Sequence, residues 1–314
     1  MLIAAQIDPI QNLNPAFDNT LLVLEAAGRR GHQIFYYTPD KLRTDHQGRV
    51  TANGHELALN LAADDFYALG KARLLDLSEA DVVLLRQDPP VTMDYITTTY
   101  ILEKLPPSTL VINHPKAVRD FPEKILPLHF PGLIPPTLIT RDQEAMQEFH
   151  RAHGEIVIKP LYARQSQGVI RLKKNGDNLA AAAGPLLARY QTPLVCQRFL
   201  PEVQDGVKRL TLIDGEIFGI FKNTPPPGEF LVAASLAVSP YEKIELSPGD
   251  LAIAQALKPF LKTHGLFWAG VDIIGNFIAE INLTSPSGLR ALARLGEGEI
   301  GDKFCQVLEN KVKK

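Results

Sequence analysis

The stretch Val271-Asp272-Ile273-Ile274-Gly275-Asn276-Phe277-Ile278-Ala279-Glu280-Ile281-Asn282 sets three oxygen-bearing side chains, Asp272, Glu280 and Asn282, into an otherwise apolar run. Short series of Val and Ile flank Gly275-Asn276, a turn signal, so the segment reads as two paired antiparallel strands. Successive side chains of a strand point to opposite faces, which puts Glu280 and Asn282 on one face. If the connecting loop has an odd number of residues, Asp272 stands opposite Glu280 and all three oxygens share that face. A two-residue Gly275-Asn276 turn would send Asp272 to the other side. The three-oxygen reading therefore predicts a loop of three or five residues. Two acids and an amide held together repel unless a cation sits among them, and Mg²⁺ prefers oxygen ligands. A half-buried hairpin with a solvated polar face is the competing account of the same residues.

Residues far upstream weigh in favour of the cation. The apolar run Ile156-Val157-Ile158 ends in Lys159-Pro160, and Glu123-Lys124 follows Pro122. Two lysines beside an Asp/Glu/Asn set are what a nucleoside triphosphate needs: the lysines neutralise phosphate oxygens and the metal bridges them. Taken alone, Lys159 reads as a strand-end lysine with its amine in water.

The remaining landmarks, in chain order, are Asp8-Pro9-Ile10, Arg86-Gln87-Asp88-Pro89-Pro90, Tyr100-Ile101-Leu102-Glu103, Asn113-His114-Pro115, Arg119-Asp120 and Lys208-Arg209, with the hairpin run continuing to Pro286. In order and rough spacing, these pieces together resemble the bacterial glutathione synthetases of the ATP-grasp superfamily over nearly the full chain. The resemblance implies a mixed α/β and α+β fold. An N-terminal parallel-sheet (pre-ATP-grasp) domain would span 1–120, and a two-lobed ATP-grasp domain would follow, with lobes at 121–198 and 199–314. It implies ATP-dependent ligation of γ-glutamylcysteine to glycine through an acyl phosphate, with Mg²⁺ (or Mn²⁺), in a cytoplasmic homotetramer or homodimer.

It also implies roles. Lys124 and Lys159 match lysines on the ATP phosphates and the adenine side, Gln197 the adenine-binding link, and Asp272, Glu280 and Asn282 the metal ligands. Arg209 matches an arginine near the phosphates. Asp8, Asn12, Arg86 and Asp88, with Ser285, Pro286 and Arg290, border the substrate. Plainer accounts exist for several: Arg86 paired to Asp88 at a sheet end, Gln197 as a hydrogen-bonded strand residue, Arg290 on a solvated helix. No protein nucleophile is needed.

The chain also departs from that pattern. Where the family has a glycine-rich Asp-Gly-x-Gly-Gly loop, this chain reads Leu161-Tyr162-Ala163-Arg164-Gln165-Ser166-Gln167-Gly168. Such loops use Gly so that backbone N–H groups can approach oxygen atoms closely. The second mobile loop, Lys222 to Val232, carries no arginine, and the family's Arg-Lys-Asp-Pro-Pro is Arg86-Gln87-Asp88-Pro89-Pro90 here. Arg164 is the expected compensation, a side-chain fork suited to phosphate in place of backbone cradling. Two alternatives stay open: a ligase acting on another peptide or amine, and a nucleotide-binding protein that does not catalyse.

The bulk properties fit a soluble enzyme of small molecules. The 314 residues are 45% hydrophobic and 22% charged, with a formal charge of -2. That balance gives no electrostatic case for nucleic acid or an anionic membrane. The amino terminus lacks a positive region and a long apolar core, so no signal peptide is read, and no run reaches transmembrane length. Cys196 and Cys305 suit a reducing compartment, and His150 and His153 read as a solvated helix face.

Strands are expected at 2–7, 33–37, 82–85 and 109–112, with a helix at 20–31 and a polar hairpin or loop at 48–56. Their alternation argues for a mostly parallel sheet with ligands beyond its carboxyl ends, where Asp8, Arg86, Asp88 and Asn113 fall. Further on, a helix is expected at 143–153 and strands at 156–159, 168–172 and 194–197. A hairpin at 209–222 around Asp214-Gly215 and a helix at 251–263 complete the reading.

Overall fold

The structure is a computed structural model that describes residues 1–163, 166–174, 178–226, 228–231 and 241–313. Three sheets carry it. The first comprises β1 (Leu2–Gln6), β2 (Gln33–Tyr37), β3 (Leu42–Thr44), β4 (Val50–Leu59), β5 (Tyr67–Asp76), β6 (Val82–Leu85) and β7 (Leu110–Ile112). Their order is β3-β4-β2-β1-β6-β7, with β5 paired to β4. The central pairs β2–β1, β1–β6 and β6–β7 are parallel. β6 is buried along its whole length, as an apolar strand covered on both faces must be. The helix Asn19–Arg29 packs on this sheet and starts at Asp18, whose carboxylate accepts the Leu21 N–H at 2.7 Å.

The expected hairpin or loop at 48–56 proves to be part of something longer. β4 and β5 are ten-residue antiparallel strands. β5 is mostly exposed, so its sequence has no apolar alternation to betray it. Gly54 lets β4 approach β2: a Cβ there would stand 2.2 Å from the Tyr36 carbonyl oxygen.

The second sheet is antiparallel, in the order β10-β9-β11-β8, from β8 (Thr137–Thr140), β9 (Ile156–Pro160), β10 (Ile170–Leu172) and β11 (Leu194–Arg198). The helices Gln143–His153 and Leu179–Tyr190 supply the other half of its core. Met146, Ile156, Ile158, Leu172, Leu179, Leu194 and Cys196 form a buried cluster drawn from this unit alone.

The third sheet, also antiparallel, runs β14-β13-β12-β15-β16, from β12 (Val207–Ile213), β13 (Glu216–Asn223), β14 (Tyr241–Lys243), β15 (Trp268–Ile274) and β16 (Phe277–Asn282). Asp214 and Gly215 both take positive φ, 49° and 76°, as the two-residue turn between β12 and β13 requires. The helix Ile300–Val312, at the far end of the chain, packs back on the helix Asn19–Arg29. Arg30 Nε meets Glu309 Oε1 at 2.8 Å and Arg29 Nη2 meets Asp302 Oδ2 at 2.7 Å. Trp268 and Phe304 thereby join one core with Ile3, Ala5 and Val82 of the first sheet.

The β15–β16 hairpin corrects the expected loop. The turn is the two-residue Gly275-Asn276, with Ile274 opposite Phe277. The odd residue lies instead inside the strand: Ile273 pairs with Ile278 and Asp272 with Glu280, so Ala279 is left over as a β-bulge. The bulge shifts the phase by one, and Asp272, Glu280 and Asn282 reach the same face. Ile273, Ile278 and Ile281 fill the core on the other.

Asn113, at the carboxyl end of β7, ties the first sheet to the third. Its Nδ2 donates to the carbonyl oxygens of Trp268 and Leu283, both at 2.7 Å, and its Oδ1 accepts the Trp268 N–H at 2.8 Å. Asn113→Ala would leave these buried groups unpaired and is expected to cost about 3 kcal/mol. A urea unfolding midpoint unchanged from wild type would refute this.

Candidate active site

Strand pairing puts one row of charged side chains across the third sheet. Arg209 on β12 stands opposite Asp272 on β15, which stands opposite Glu280 on β16. The guanidinium grips the carboxylate at two points, Nε to Oδ1 at 2.5 Å and Nη2 to Oδ2 at 3.1 Å. Its third nitrogen, Nη1, donates to Ser287 Oγ at 3.0 Å. Asn282 extends the row, with Nδ2 3.2 Å from Asp272 Oδ2. The neighbouring Lys208 faces away from the row and pairs with Asp250 under the helix Pro248–Thr263.

Two lysines approach this row from outside the sheet. Lys124 Nζ lies 3.0 Å from Glu280 Oε1 and donates to the Ala163 carbonyl oxygen at 2.7 Å. Lys159, on β9 of the second sheet, reaches the Gln197 Oε1 at 3.1 Å and the Ala279 carbonyl oxygen at 3.4 Å. Ala279 is the bulged residue, whose carbonyl falls out of the ladder and is free to face the opposite lobe. Gln197 in turn donates from Nε2 to Thr137 Oγ1 at 3.0 Å. Lys124, Lys159, Gln197, Arg209, Asp272, Glu280 and Asn282 are thus one connected constellation between the second and third sheets.

Its electrostatics follow from burial and close cations. Burial, with Lys124 nearby, pushes the Lys159 ammonium down to about 8, against the pull of Glu280 and Asp272. Burial works to raise Glu280, yet Lys124, Lys159 and Arg209 outweigh it and hold the carboxyl below its usual range. Burial likewise works to lower Arg209, and Asp272 more than reverses it. The donor set offered to a metal is two carboxylates and an amide. No group of three or more His, Cys, Asp or Glu side chains placed to hold a metal occurs among the described residues.

A prokaryotic glutathione synthetase N-terminal domain matches residues 1–119, and a prokaryotic glutathione synthetase ATP-grasp domain matches residues 123–297. The chain belongs to the prokaryotic glutathione synthetase family. It is 40% identical over 312 residues to the glutathione synthetase of Rhodopseudomonas palustris, covering 98% of each chain. It is 32% identical over 326 residues to that of Synechocystis, covering 99% of this chain and 100% of the other. Among solved structures, the D-cycloserine synthetase DcsG shares the fold with a TM-score of 0.70 at 18% identity, covering 99% of each chain. A Chryseobacterium gregarium RiPP-associated ATP-grasp ligase does so with a TM-score of 0.69 at 16% identity, covering 99% of this chain and 97% of the other. As a member of this family the protein is an ATP-grasp ligase that forms a carbon–nitrogen bond.

In this glutathione synthetase family member the first sheet's carboxyl ends face the loop that follows β16. Asp8 Oδ2 accepts the Asp88 N–H at 2.8 Å, joining the ends of β1 and β6. Arg86 does not pair with Asp88 as the plainer account had it. Its guanidinium is 5% exposed, stacks 3.9 Å from the Trp268 ring centroid, and donates to Thr20 Oγ1 at 3.0 Å and to the Pro286 carbonyl oxygen at 3.2 Å. Burial brings it down to about 10. Arg290 is not on a solvated face either: Nε donates to the Asp18 carbonyl oxygen at 2.9 Å. Ser285 is half-buried on the same loop, and Asn12 is exposed at the end of the turn Ile10–Asn12. Arg164 lies outside the described residues, as do Pro227 and Val232 of the second loop. Sequence reasoning missed Asp18 and Asn19, which anchor Arg290 and Gly288 from the helix start; the Asp18 capping signal was present, but not its distant partners.

Proposed function

We propose that the protein is a glutathione synthase, joining γ-glutamylcysteine to glycine with ATP and releasing ADP and phosphate. The observation that carries the proposal is the row Arg209–Asp272–Glu280 facing Lys124 and Lys159. Two carboxylates beside three cations form a charge set with one cation in excess, which a metal and a triphosphate can enter by exchanging partners.

A carboxylate resists attack by an amine because oxide is a poor leaving group. Transfer of the γ-phosphoryl group to the dipeptide's carboxylate gives an acyl phosphate. The glycine amine then attacks its carbonyl carbon, the C–O bond to phosphate breaks, and the amine proton is lost. This protein's part is placement and charge. Asp272, Glu280 and Asn282 fit a hard divalent cation, since all three can present oxygen. Mg²⁺ or Mn²⁺ bound there would neutralise phosphate oxygens. Lys124, Lys159 and Arg209 face the same cleft and supply charge as the phosphoryl group moves. Gln197, held between Lys159 and Thr137, orders the adenine side. Asp8, Asn12, Arg86, Asp88, Ser285 and Arg290 border the dipeptide. Arg164 is assigned to the phosphates from its sequence position. Family membership also supports a cytoplasmic homodimer or homotetramer. No helix among the described residues is long and apolar enough to cross a membrane.

The test is ADP release by the purified protein with Mg-ATP, γ-glutamylcysteine and glycine, with product mass read from the same tube. Equimolar ADP and glutathione are expected. ADP release only with other dipeptides or amines would transfer the protein to a different substrate, and ATP binding without turnover would make it a non-catalytic member.

A further inference from the structure

β16 is the outermost strand of the third sheet, and among the described residues its outer edge has no neighbouring strand. An open edge presents unpaired N–H and C=O groups, and here it carries two of the three oxygen ligands. Two backbone hydrogen bonds from the segment that links the first sheet to the second take the place of the missing strand. The Leu133 carbonyl oxygen accepts the Ile278 N–H at 2.8 Å, and the Glu123 carbonyl oxygen accepts the Ile281 N–H at 3.3 Å. The Glu123 side chain then continues past the end of the strand. Its Oε1 accepts the Leu283 N–H at 2.7 Å, the Thr284 N–H at 2.9 Å and the Thr284 hydroxyl at 2.9 Å.

These donors flank Asn282 on both sides. On one side Asn282 is held by the last ladder pair, with Gly270; on the other the chain leaves the sheet, and Glu123 is what receives it. A strand free to rotate about its axis at this point would swing Asn282 and Glu280 out of the cleft together, because they share a face. The next residue, Lys124, sends its ammonium to Glu280 from the cleft side. The dipeptide therefore grips β16 twice: Glu123 by its backbone edge, Lys124 by its carboxylate.

We infer that Glu123 is a positioning residue for the metal and phosphate centre, holding Glu280 and Asn282 in ligating orientation without touching the ligand itself. The inference rests on the proposed ATP-grasp site. It explains why a half-buried acid stands beside the acidic Glu280. One carboxylate oxygen accepts three donors. Glutamine keeps that acceptor oxygen, aspartate shortens the reach by one methylene, and alanine removes it.

The experiment measures Mn²⁺ binding by electron paramagnetic resonance in the presence of a non-hydrolysable ATP analogue, beside the thermal midpoint, for wild type, Glu123→Gln, Glu123→Asp and Glu123→Ala. Glu123→Gln is expected to bind Mn²⁺ like wild type. Glu123→Ala should bind roughly 10–100-fold more weakly, the range for residues that orient metal ligands, with Glu123→Asp between them. If Glu123→Ala does not fold, Glu123→Asp against Glu123→Gln decides alone. A lowered midpoint with unchanged Mn²⁺ affinity overturns the inference and leaves Glu123 a purely structural residue. Equal weakening in Glu123→Gln also overturns it, because charge rather than the acceptor would then matter. A wild-type protein that binds no Mn²⁺ with nucleotide would overturn the reading of the site and this inference with it.

Discussion

Asp272→Ala is expected to reduce ADP release by about 10²–10³-fold, the scale for removing one preorganised charge-stabilising group, and to destabilise the fold at the same time. Asp272 is the middle of the row. It is a metal ligand in the proposed mechanism, and both its oxygens are engaged by Arg209 at 2.5 Å and 3.1 Å. Arg209 and Asp272 are only 20% and 19% exposed. Deleting the acid leaves a guanidinium in a poorly solvated place with Ser287 as its remaining partner, a cost of about 3–5 kcal/mol for a broken buried pair. Asp272→Asn keeps an acceptor oxygen for Arg209, so it should recover part of the stability while activity stays low, since the ligand charge is gone. Urea denaturation beside a coupled ADP assay separates the two effects. Turnover within a fewfold of wild type in Asp272→Ala would remove Asp272 from the metal set.

Lys159→Met should show the opposite pairing of effects: kcat/KM for ATP lower by roughly 10²-fold, with stability kept or raised. Burial brings the Lys159 ammonium down to about 8 from the ordinary lysine value of 10.5. The neutral amine is therefore the form that folding favours. Folding must carry the buried proton at all pH values below about 8, and that penalty is relieved as pH rises from about 8 toward 10.5. Methionine removes the penalty and the proposed phosphate contact together. For wild type, the charged form needed to meet a triphosphate disappears as pH climbs through about 8, so kcat/KM for ATP should fall on the alkaline side of that value. Bound phosphate favours the ammonium, which moves the corresponding limb of kcat to higher pH. Loss of stability in Lys159→Met, or an alkaline limb that survives the substitution, would contradict this account.

The row itself was legible because strand alternation is a short-range rule. Glu280 and Asn282 were placed on one face from their spacing, and Asp272 joined them only on the condition of a three- or five-residue loop, which the two-residue turn overturns; a bulge within the strand brings Asp272 round instead. What the spacing did not tell was where the odd residue sits. Gly275-Asn276 is a complete two-residue turn, and nothing local distinguishes Ala279 as a bulge from Ala279 as an ordinary strand member. The parallel strands of the first sheet announced themselves as apolar runs, whereas β5, exposed on its edge, did not. The helix Leu179–Tyr190 went unread although Asn178 caps it; Pro185 within it argues against a helix on sequence grounds. Asn113 and Glu123 were visible as residues but not as anchors, and Asp18 was not singled out at all. Their partners lie some 155, 160 and 272 positions away, and a sequence without relatives aligned to it carries no trace of such pairings.

The second sheet keeps its hydrophobic cluster to itself, while Trp268 and Phe304 share one with the first sheet. In mechanical terms the molecule is a frame and a jaw. The helix Ile300–Val312 rivets the third sheet's end of the chain to the frame, whereas the jaw's hydrophobic cluster is drawn from its own residues, which makes it a separate unit for local opening. Lys159 sits on the jaw and Asp272 and Glu280 on the frame, so in the proposed mechanism a triphosphate that meets Lys159 directly and the two acids through a metal would act as the latch. Amide protection in residues 137–198 should therefore respond to nucleotide far more than protection in β1 or β6.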